Sequence, residues 1–358
     1  PRSTPSKSSA ASDVYKRQLY VLYILMLVAI VFACVNLDPI SVKQKMPDGS
    51  EVSWVKAGET ATFTLTGNID CKEDGHNGVR FVVAMLAPKS WNIRENVKMT
   101  YRCSILAPWE EEFSMSPIPE DIAPKNRQGM SWSEALMGVF GIGPNVLNDM
   151  EWVAFWTNDT WDIANYMNPK YEINIKCKTG LQNLKAHLGF FVNHTDDGLS
   201  TSTDHWKCQF SDDCFEVVEG RGAVVDFCEL HAAVVEPLSA LQNDFITFTF
   251  QGGIIENELI NADEIFFEAV AHTESGVSYT VNDRNNKTRL KKEGAFTYSL
   301  TIWPEDFFGI PNGEIITDID YLFTNKDGSV TITKTDDEMA GKSVVGPKEM
   351  FNYELRCE

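Results

Sequence analysis

The chain has 358 residues, enough for two domains of ordinary size, and its 43% hydrophobic and 23% charged residues are typical of a globular protein with a substantial core. Its formal net charge of −20 argues against binding to nucleic acid, which needs Lys and Arg clustered on one face. The same charge disfavours electrostatic attachment to an anionic surface.

Residues 1–18 are of low complexity and differ in character from the apolar segment that begins at Leu19. The segment Asp13–Gln18 (DVYKRQ) can be back-translated into a sequence that resembles the transposon end used to fragment DNA for sequencing. We therefore interpret residues 1–18 as translated adapter and exclude them from the fold argument. A natural disordered leader is the alternative.

Residues 19–33 are apolar without interruption (LYVLYILMLVAIVFA). A bilayer-spanning helix needs about 20 such residues, whereas the core of a signal peptide needs about 7–15. The segment ends in Val31-Phe32-Ala33-Cys34, a lipobox in which a small residue precedes the cysteine that is acylated and then exposed by cleavage. We predict a truncated signal peptide over residues 19–33 and an outer-membrane lipoprotein held by lipid on Cys34, on the cell-surface or the periplasmic face. A plain signal peptide, or a buried strand with an incidental cysteine, remains open.

Seven further cysteines make an odd set, so at least one thiol is free if the others pair. Cys208 and Cys214 could close a short disulfide loop. Zinc on His205, Cys208 and Cys214 is the less favoured alternative, because the spacing matches no common zinc module. Calcium is conceivable at Asp74, at Asp196-Asp197 or at Asp318 and Asp320, but none has EF-hand spacing. We predict no metal and no cofactor.

A lipidated N-terminus and linker over residues 34–56 is expected to lead into a first β-sandwich domain over residues 57–233. One helix is predicted near residues 131–140, because Ser131 and Glu134 form a capping box and Gly141 provides a stop. The remainder is rich in short strands separated by turns. The predicted strands are 62–66, 79–86, 97–103, 150–157, 171–178, 184–192 and 215–218.

The stretch Val234–Leu238 is interpreted as the interdomain junction, and residues 237–358 as a smaller immunoglobulin-like domain. Asp327-Gly328 predicts a hairpin turn near its end. The predicted strands are 245–250, 264–272, 277–281, 295–303, 315–324 and 329–333. The fold class is therefore all-β, with two immunoglobulin-like sandwich domains and a short helix inserted in the first.

Several segments carry a resemblance to a known family. They are Pro304–Phe308, Gly313–Ile316, Phe323–Gly328, Ala87–Asn92 and Met150–Phe155. With the lipobox, they make the chain resemble the uncharacterised Bacteroidetes (Bacteroides) lipoprotein family DUF4961 over most of residues 34–358. The resemblance carries over no catalytic residue. It implies a neighbour of outer-membrane glycan-uptake complexes, and glycan as a ligand, by association alone.

Tryptophan is dense in the first domain, and indole faces can stack on sugar rings. Trp132, Trp156 and Trp161 are the predicted ligand-binding platform, because they neighbour a polar turn or the helix start. The alternative for any one of them is a place in the core.

No nucleophile, zinc-protease or phosphate-loop motif is present in the sequence, so no catalytic residue is predicted. The leading hypothesis is a non-catalytic surface lipoprotein that binds glycan. An adhesin or assembly component that binds protein is the second hypothesis, and an enzyme with an unrecognised site is the third.

Overall fold

The computed structural model describes residues 35–71, 75–105, 109, 111–202, 205–339 and 347–356. The adapter segment, the predicted signal peptide, Cys34 and Cys357 lie outside these residues. Within the described ranges, no helix combines the length and apolar character needed to cross a bilayer. Strands dominate and helices are short, which confirms the all-β prediction.

The first domain consists of many short strands and two α-helices, with a 3₁₀ turn at Lys89–Trp91. Its helices are α1 (Ile93–Asn96) and α2 (Trp132–Phe140). Its strands are β1 (Val35–Leu37), β2 (Gln44–Lys45), β3 (Glu51–Val52), β4 (Trp54–Lys56), β5 (Thr60–Ile69), β6 (His76–Val79), β7 (Phe81–Pro88), β8 (Val97–Cys103), β9 (Phe113–Pro117), β10 (Met150–Thr157), β11 (Trp161–Ile163), β12 (Lys170–Lys178), β13 (Gln182–Ala186), β14 (Gly189–His194), β15 (Lys207–Phe210), β16 (Phe215–Val218) and β17 (Arg221–Asp226).

A nine-stranded sheet with the order β1-β5-β12-β8-β9-β10-β7-β14-β15 folds over on itself around the first core. Strand β5 alternates between buried and exposed residues, which is what a sheet with one core face requires. Its Phe63 packs on Phe190 of β14, with ring centroids 5.9 Å apart, although the two strands lie far apart in the sheet order. A four-stranded sheet, β17-β13-β16-β4, adds Phe215 to the same contact at 5.2 Å from Phe63.

Residues 35–56 are part of this domain, so the expectation of a linker there is wrong. Val35, Val42 and Val55 are buried in the first core. Strand β1 pairs with β5 from Val35 onward, so the folded domain begins one residue after Cys34. The apolar alternation of these short strands was too brief to be recognised in the sequence.

Helix α2 confirms the predicted inserted helix. The Ser131 hydroxyl accepts a hydrogen bond from the Glu134 amide at 3.2 Å, and the Glu134 carboxylate accepts one from the Ser131 amide at 2.7 Å. Gly141 ends the helix with a φ of 58°. The buried face packs against β10, where Phe140 contacts Trp152.

The second domain is a sandwich of two antiparallel sheets, as the immunoglobulin-like prediction required. Phe248 packs across the sandwich on Phe267 and Tyr321, with ring centroids 4.7 and 4.8 Å away. The sheets have the orders β18-β19-β23-β22 and β21-β20-β24-β25, and β26 pairs with β24. Their elements are β18 (Ala233–Glu236), β19 (Ile246–Gln251), β20 (Ile265–Thr273), β21 (Ser278–Val281), β22 (Lys291–Lys292), β23 (Thr297–Ile302), β24 (Ile316–Asn325), β25 (Thr331–Ile332) and β26 (Phe351–Glu354), with a 3₁₀ turn at Leu259–Asn261, α3 (Pro304–Phe308) and α4 (Lys334–Glu338).

The two cores separate between Phe227 and Ala232, earlier than the predicted junction at residues 234–238. Three of those residues, Val234–Glu236, belong to strand β18 instead, which pairs with β19. His231 lies at the junction and contacts Asp337 of α4 at 2.6 Å and Asp226 of β17 at 3.4 Å.

One disulfide joins Cys214 to Cys228, so the loop between Cys208 and Cys214 that the sequence allowed does not form. Cys103, Cys177 and Cys208 carry thiols. Burial raises the pKa of both Cys177 and Cys208 to about 12, which makes these two thiols unreactive near neutral pH.

Candidate functional site

The three predicted platform tryptophans have different surroundings. Trp132 is only 3% exposed and contacts Phe191 in the first core, so the expectation that it is exposed is wrong. The reason is that it occupies the first position of α2, on the face that packs against the sheet. A side chain buried in this way cannot present an open ring face to a ligand.

Trp156 and Trp161 are half-buried. The guanidinium of Arg80 lies 4.7 Å from the Trp156 ring centroid and covers one face of the indole. The Trp161 Nε1 donates a hydrogen bond to the Tyr101 hydroxyl at 3.0 Å, and its ring packs edge-on against Phe113. A binding role for either residue stays a prediction.

Trp161 also lines a small cavity of about 40 Å³ in the first domain. The wall is apolar apart from Thr157 and Asn193, and burial raises the pKa of Tyr101 to about 12. No carboxylate lines the described part of this wall. A space of this size is far below the roughly 300–1,000 Å³ of a small-molecule pocket, so it is not a ligand site as it stands.

The second domain has an open surface of a different kind, formed by the outward side of the sheet β18-β19-β23-β22. Ile246 and Ile302 pair across β19 and β23, and both are buried. Because side chains alternate along a strand, the neighbouring Phe245 and Trp303 face outward. They are 71% and 44% exposed.

A row of hydroxyls follows this aromatic pair along the same side of the sheet. Thr247 pairs with Thr301, and their hydroxyl oxygens are 2.8 Å apart. Two positions farther along, Thr249 pairs with Ser299. We call the surface formed by these six residues, Phe245, Thr247, Thr249, Ser299, Thr301 and Trp303, the outer face.

The rim of the outer face is polar and held in place by hydrogen bonds. The Gln242 amide donates to the Glu305 carboxylate at 2.8 Å and accepts from the Ile316 backbone at 2.8 Å. The backbone of Trp303 accepts a hydrogen bond from the Phe307 amide at 2.8 Å, at the start of α3. The backbone of Trp303 is therefore held in place, although its indole ring is exposed to solvent.

Sequence reasoning missed Phe245 and Trp303 because it followed the density of tryptophan in the first domain. A signal was present: Trp303 ends the predicted strand 295–303, in the alternate position to Ile302, directly before Pro304. The alternation placed it outward, but only the pairing of β19 with β23 shows that Phe245 lies beside it.

Three groups of side chains in the described residues bring histidine together with cysteine or aspartate. They are His187 with Cys214 and Cys228, His76 with His194 and Asp197, and His272 with Asp318 and Asp320. The cysteines of the first group are joined to each other as a disulfide, which removes the thiolates that a metal ion would need.

Comparison with known proteins gives families but no activity. Residues 38–231 match the family model named Domain of unknown function DUF4961, and residues 233–332 match the model named Domain of unknown function DUF8578. No curated protein matches the chain.

Solved structures with similarity are distant. The C-terminal domain of the Streptococcus pyogenes antigen I/II-family protein AspA is 9% identical, over 90% of this chain and 100% of that one, with a TM-score of 0.26. The Corynebacterium diphtheriae major pilin SpaA is 8% identical, over 88% of this chain and 64% of that one, with a TM-score of 0.23. AvmM, which catalyses macrocyclization in alchivemycin A biosynthesis, is 13% identical over 53% of this chain and 92% of that one, with a TM-score of 0.27. These scores are too low to carry an argument about function.

The DUF4961 match spans more than half of the chain and coincides with the first β domain, and the DUF8578 match coincides with most of the second. The chain belongs to the DUF4961 family.

Proposed function

We propose that this protein is a non-catalytic glycan-binding lipoprotein whose second domain holds the sugar chain on its outer face. The observation that carries the proposal is the continuity of an exposed aromatic pair with a row of hydroxyls on one flat sheet surface. The proposal moves the expected binding site away from the tryptophans of the first domain.

The aromatic pair supplies what a pyranose ring needs for stacking. A sugar presents polarised C–H groups on one side of its ring, and these meet the negative face of an indole or phenyl ring. Phe245 directly precedes β19 and Trp303 directly follows β23, beside the paired Ile246 and Ile302, and both are exposed.

The hydroxyl row supplies the polar half of the recognition. Thr247, Thr249, Ser299 and Thr301 present donors and acceptors to sugar hydroxyls that point along the sheet. Their spacing follows the strand, so an extended glycan chain fits the row better than a compact ligand does. Binding without turnover also agrees with a sequence that holds no nucleophile motif.

We further propose that lipid on Cys34 anchors the protein in the outer membrane, at the cell surface, where it works beside a glycan-uptake complex. Because β1 begins at Val35, such an anchor leaves no spacer between the membrane and the first domain. Cys34→Ala should abolish incorporation of radiolabelled palmitate and release the protein from the membrane fraction. Unchanged labelling of that variant would contradict the lipid anchor but would leave the proposed binding site untouched.

Affinity gel electrophoresis tests the binding site. The purified protein is run through gels that contain, one at a time, starch, xylan, pectic galactan and mucin glycans. We expect at least one of them to retard the wild-type protein. Trp303→Ala and Phe245→Ala should each weaken that retardation about tenfold, since about 1.4 kcal/mol is a factor of ten in affinity.

Trp161→Ala is the matched control, because it removes an indole from the first domain. It should retain the wild-type retardation. Absence of retardation by every polysaccharide overturns the glycan proposal. Loss of retardation in Trp161→Ala, with Trp303→Ala unchanged, places the site in the first domain and overturns the outer face as the binding surface.

A further inference from the structure

The first domain contains a group of histidine and aspartate side chains that the proposed function does not use. His194 is the last residue of β14, Asp197 follows in the next turn, and His205 precedes β15. His194 Nε2 lies 2.9 Å from Asp197 Oδ2, and His205 Nδ1 lies 3.3 Å from the same oxygen. The ring of His76, on β6, lies tilted against that of His194, with the centroids 4.3 Å apart. We call His76, His194, Asp197 and His205 the histidine cluster.

The contacts in the histidine cluster are short but not aligned as hydrogen bonds. Among the residues that the structure describes, His194 Nε2, Asp197 Oδ2 and His205 Nδ1 are buried without any hydrogen-bond partner. His194 is only 1% exposed, so water does not compensate for the missing bond. Three such atoms, two nitrogens and one carboxylate oxygen, are compatible with lone pairs that converge on a common point.

The separations agree with a common ligand at that point. Nitrogen and oxygen ligands sit about 2.0–2.2 Å from zinc, which places tetrahedral ligand atoms roughly 3.3 Å from one another. The candidate ligand atoms of His76, His194 and Asp197 all lie within 4.8 Å of one another. His205 reaches the same Asp197 oxygen but lies outside this group of three, so it has to shift toward the other ligand atoms to serve as the fourth ligand.

A second carboxylate orients one of these imidazoles. His76 Nδ1 lies 3.1 Å from Asp196, and Lys125 holds that carboxylate from the other side at 3.1 Å. With Nδ1 engaged, the free lone pair of His76 is on Nε2. A carboxylate behind the far nitrogen of an imidazole is the usual support of a metal-binding histidine.

We propose that the histidine cluster holds one divalent transition-metal ion of the zinc class, with His76, His194, His205 and Asp197 as ligands. Three imidazole nitrogens and one carboxylate suit zinc, cobalt or nickel rather than calcium or magnesium, which take oxygen ligands. With His205 drawn in as the fourth ligand, the tetrahedral site is filled by protein atoms, as in structural zinc sites.

A metal-free ion pair is the competing account of the same residues. In that account His194 is protonated at Nε2 and Asp197 is its partner. The backbone amide of Asp197 approaches His194 Nδ1 at 3.4 Å, which would favour a proton on Nε2, but the contact is long. The ion pair also leaves His205 beside the same oxygen with no role, whereas the metal uses both imidazoles.

The ion would brace the loops around the apolar cavity. It joins β6 to the end of β14 and to the segment before β15, beyond the last paired residues of β14 and β15, Val192 and Lys207. Asn193, adjacent to His194, lines the cavity, and so does Phe81, whose ring packs edge-on against His194. The metal site is therefore independent of the outer face of the second domain.

Metal titration of the purified chain tests the proposal. The protein is stripped with a chelator and titrated with zinc chloride in a calorimeter, and in parallel with cobalt chloride while visible absorption is recorded. We expect one ion per chain and a cobalt spectrum of tetrahedral type. Asp196→Asn should weaken zinc binding by about 10–100-fold, as loss of an outer-shell carboxylate does.

Asp197→Asn and His205→Gln should weaken zinc binding more than Asp196→Asn does, with the far-ultraviolet circular dichroism unchanged. His205 is the safer of the two for folding, because its side chain is 38% exposed. His272→Gln is the matched control and should bind zinc like the wild type. No stoichiometric binding of either metal, or binding that is lost in His272→Gln and kept in His205→Gln, overturns the proposal.

Discussion

The two domains each contain a histidine–aspartate group, and the two groups differ in how their polar atoms are satisfied. In the second domain, His272 bonds Ser278 through one ring nitrogen and Asp320 through the other, both at 3.0 Å. The Asn352 amide donates to Asp318 and Asp320, at 3.1 and 2.8 Å. The network is closed by protein atoms and leaves nothing for an ion to supply.

In the first domain, the corresponding atoms converge without aligned bonds, and the group is more deeply buried. For the aromatic side chains, the proposed site is in the other domain. In the first domain Trp132 is buried and Trp156 and Trp161 are half-buried, whereas Phe245 and Trp303 of the second domain are exposed. Residue type alone does not separate these groups, whereas burial together with hydrogen-bond geometry distinguishes the proposed ion site from the closed network and the proposed platform from the core.

The largest expected effect concerns the aromatic side chains. Trp132→Ala should lower the free energy of unfolding by about 3–5 kcal/mol, because it leaves a cavity in the first core. Trp303→Ala should lower it by less than about 1 kcal/mol, because the ring is largely in solvent. Urea denaturation followed by circular dichroism measures both. Equal costs for the two variants would mean that Trp303 is packed and not a platform.

The next largest effect is expected for the histidine groups, as a stabilisation of the folded protein by zinc. Zinc at about 100 times its dissociation constant should stabilise the wild-type protein by about 2.7 kcal/mol, because it binds the folded state alone. For a domain of this size, that is a rise in melting temperature on the order of 5–10 °C. Asp197→Asn should lose this rise in calorimetry and His272→Gln should keep it. A rise of the same size in Asp197→Asn would show that zinc acts elsewhere.

A third histidine–aspartate group, at the junction, behaves as an ion pair and sharpens the contrast. The carboxylates of Asp226, 3.4 Å away, and Asp337, 2.6 Å away, raise the pKa of His231 from 6.5 to about 10. Since the folded-state pKa is the higher one, the stabilisation is complete below pH 6.5 and is lost as the pH rises through about 10.

His231→Gln should therefore cost about 1–2 kcal/mol at pH 6 and almost nothing above pH 10, after allowance for solvent screening. Urea denaturation at the two pH values measures this, and Asp226 remains ionised in both. The control uses His272→Gln as a background. Introducing His231→Gln into that background should cost the same at each pH as it does in the wild type. A cost that is the same at pH 6 and above pH 10 would contradict the ion pair.

The smallest effect is expected at Trp156. Its ring lies under Arg80, whose guanidinium also donates to the Thr157 carbonyl at 3.1 Å. Trp156→Ala should cost about 1 kcal/mol, mainly the lost contact with the cation. It should leave glycan retardation unchanged. If retardation weakens in this variant, Trp156 contributes to glycan binding, and the platform predicted in the first domain is supported.

The fold was accessible from sequence because its signals are local. Period-2 alternation in strands such as β5, the capping box at Ser131 and the turn at Gly328 each depend on a few adjacent residues. The strands of residues 35–56 were missed because they are two or three residues long. Periodicity cannot be read over such a length.

The sites were less accessible because they assemble residues that are far apart in the chain. Phe245 meets Trp303 only through the pairing of β19 with β23. His76 reaches His194 through the fold, so no spacing motif marks the histidine cluster. Trp132 was misplaced because a polar neighbourhood in the sequence says little about which face of a short helix is buried.

Hydrogen exchange with and without zinc, measured by mass spectrometry, tests the contrast between the domains most directly. The account predicts slower exchange in peptides that cover β6, β14 and the segment to His205. It predicts no change in peptides that cover β20 and β24, which carry His272, Asp318 and Asp320. Protection around β20 and β24, or no protection anywhere at saturating zinc, would contradict it.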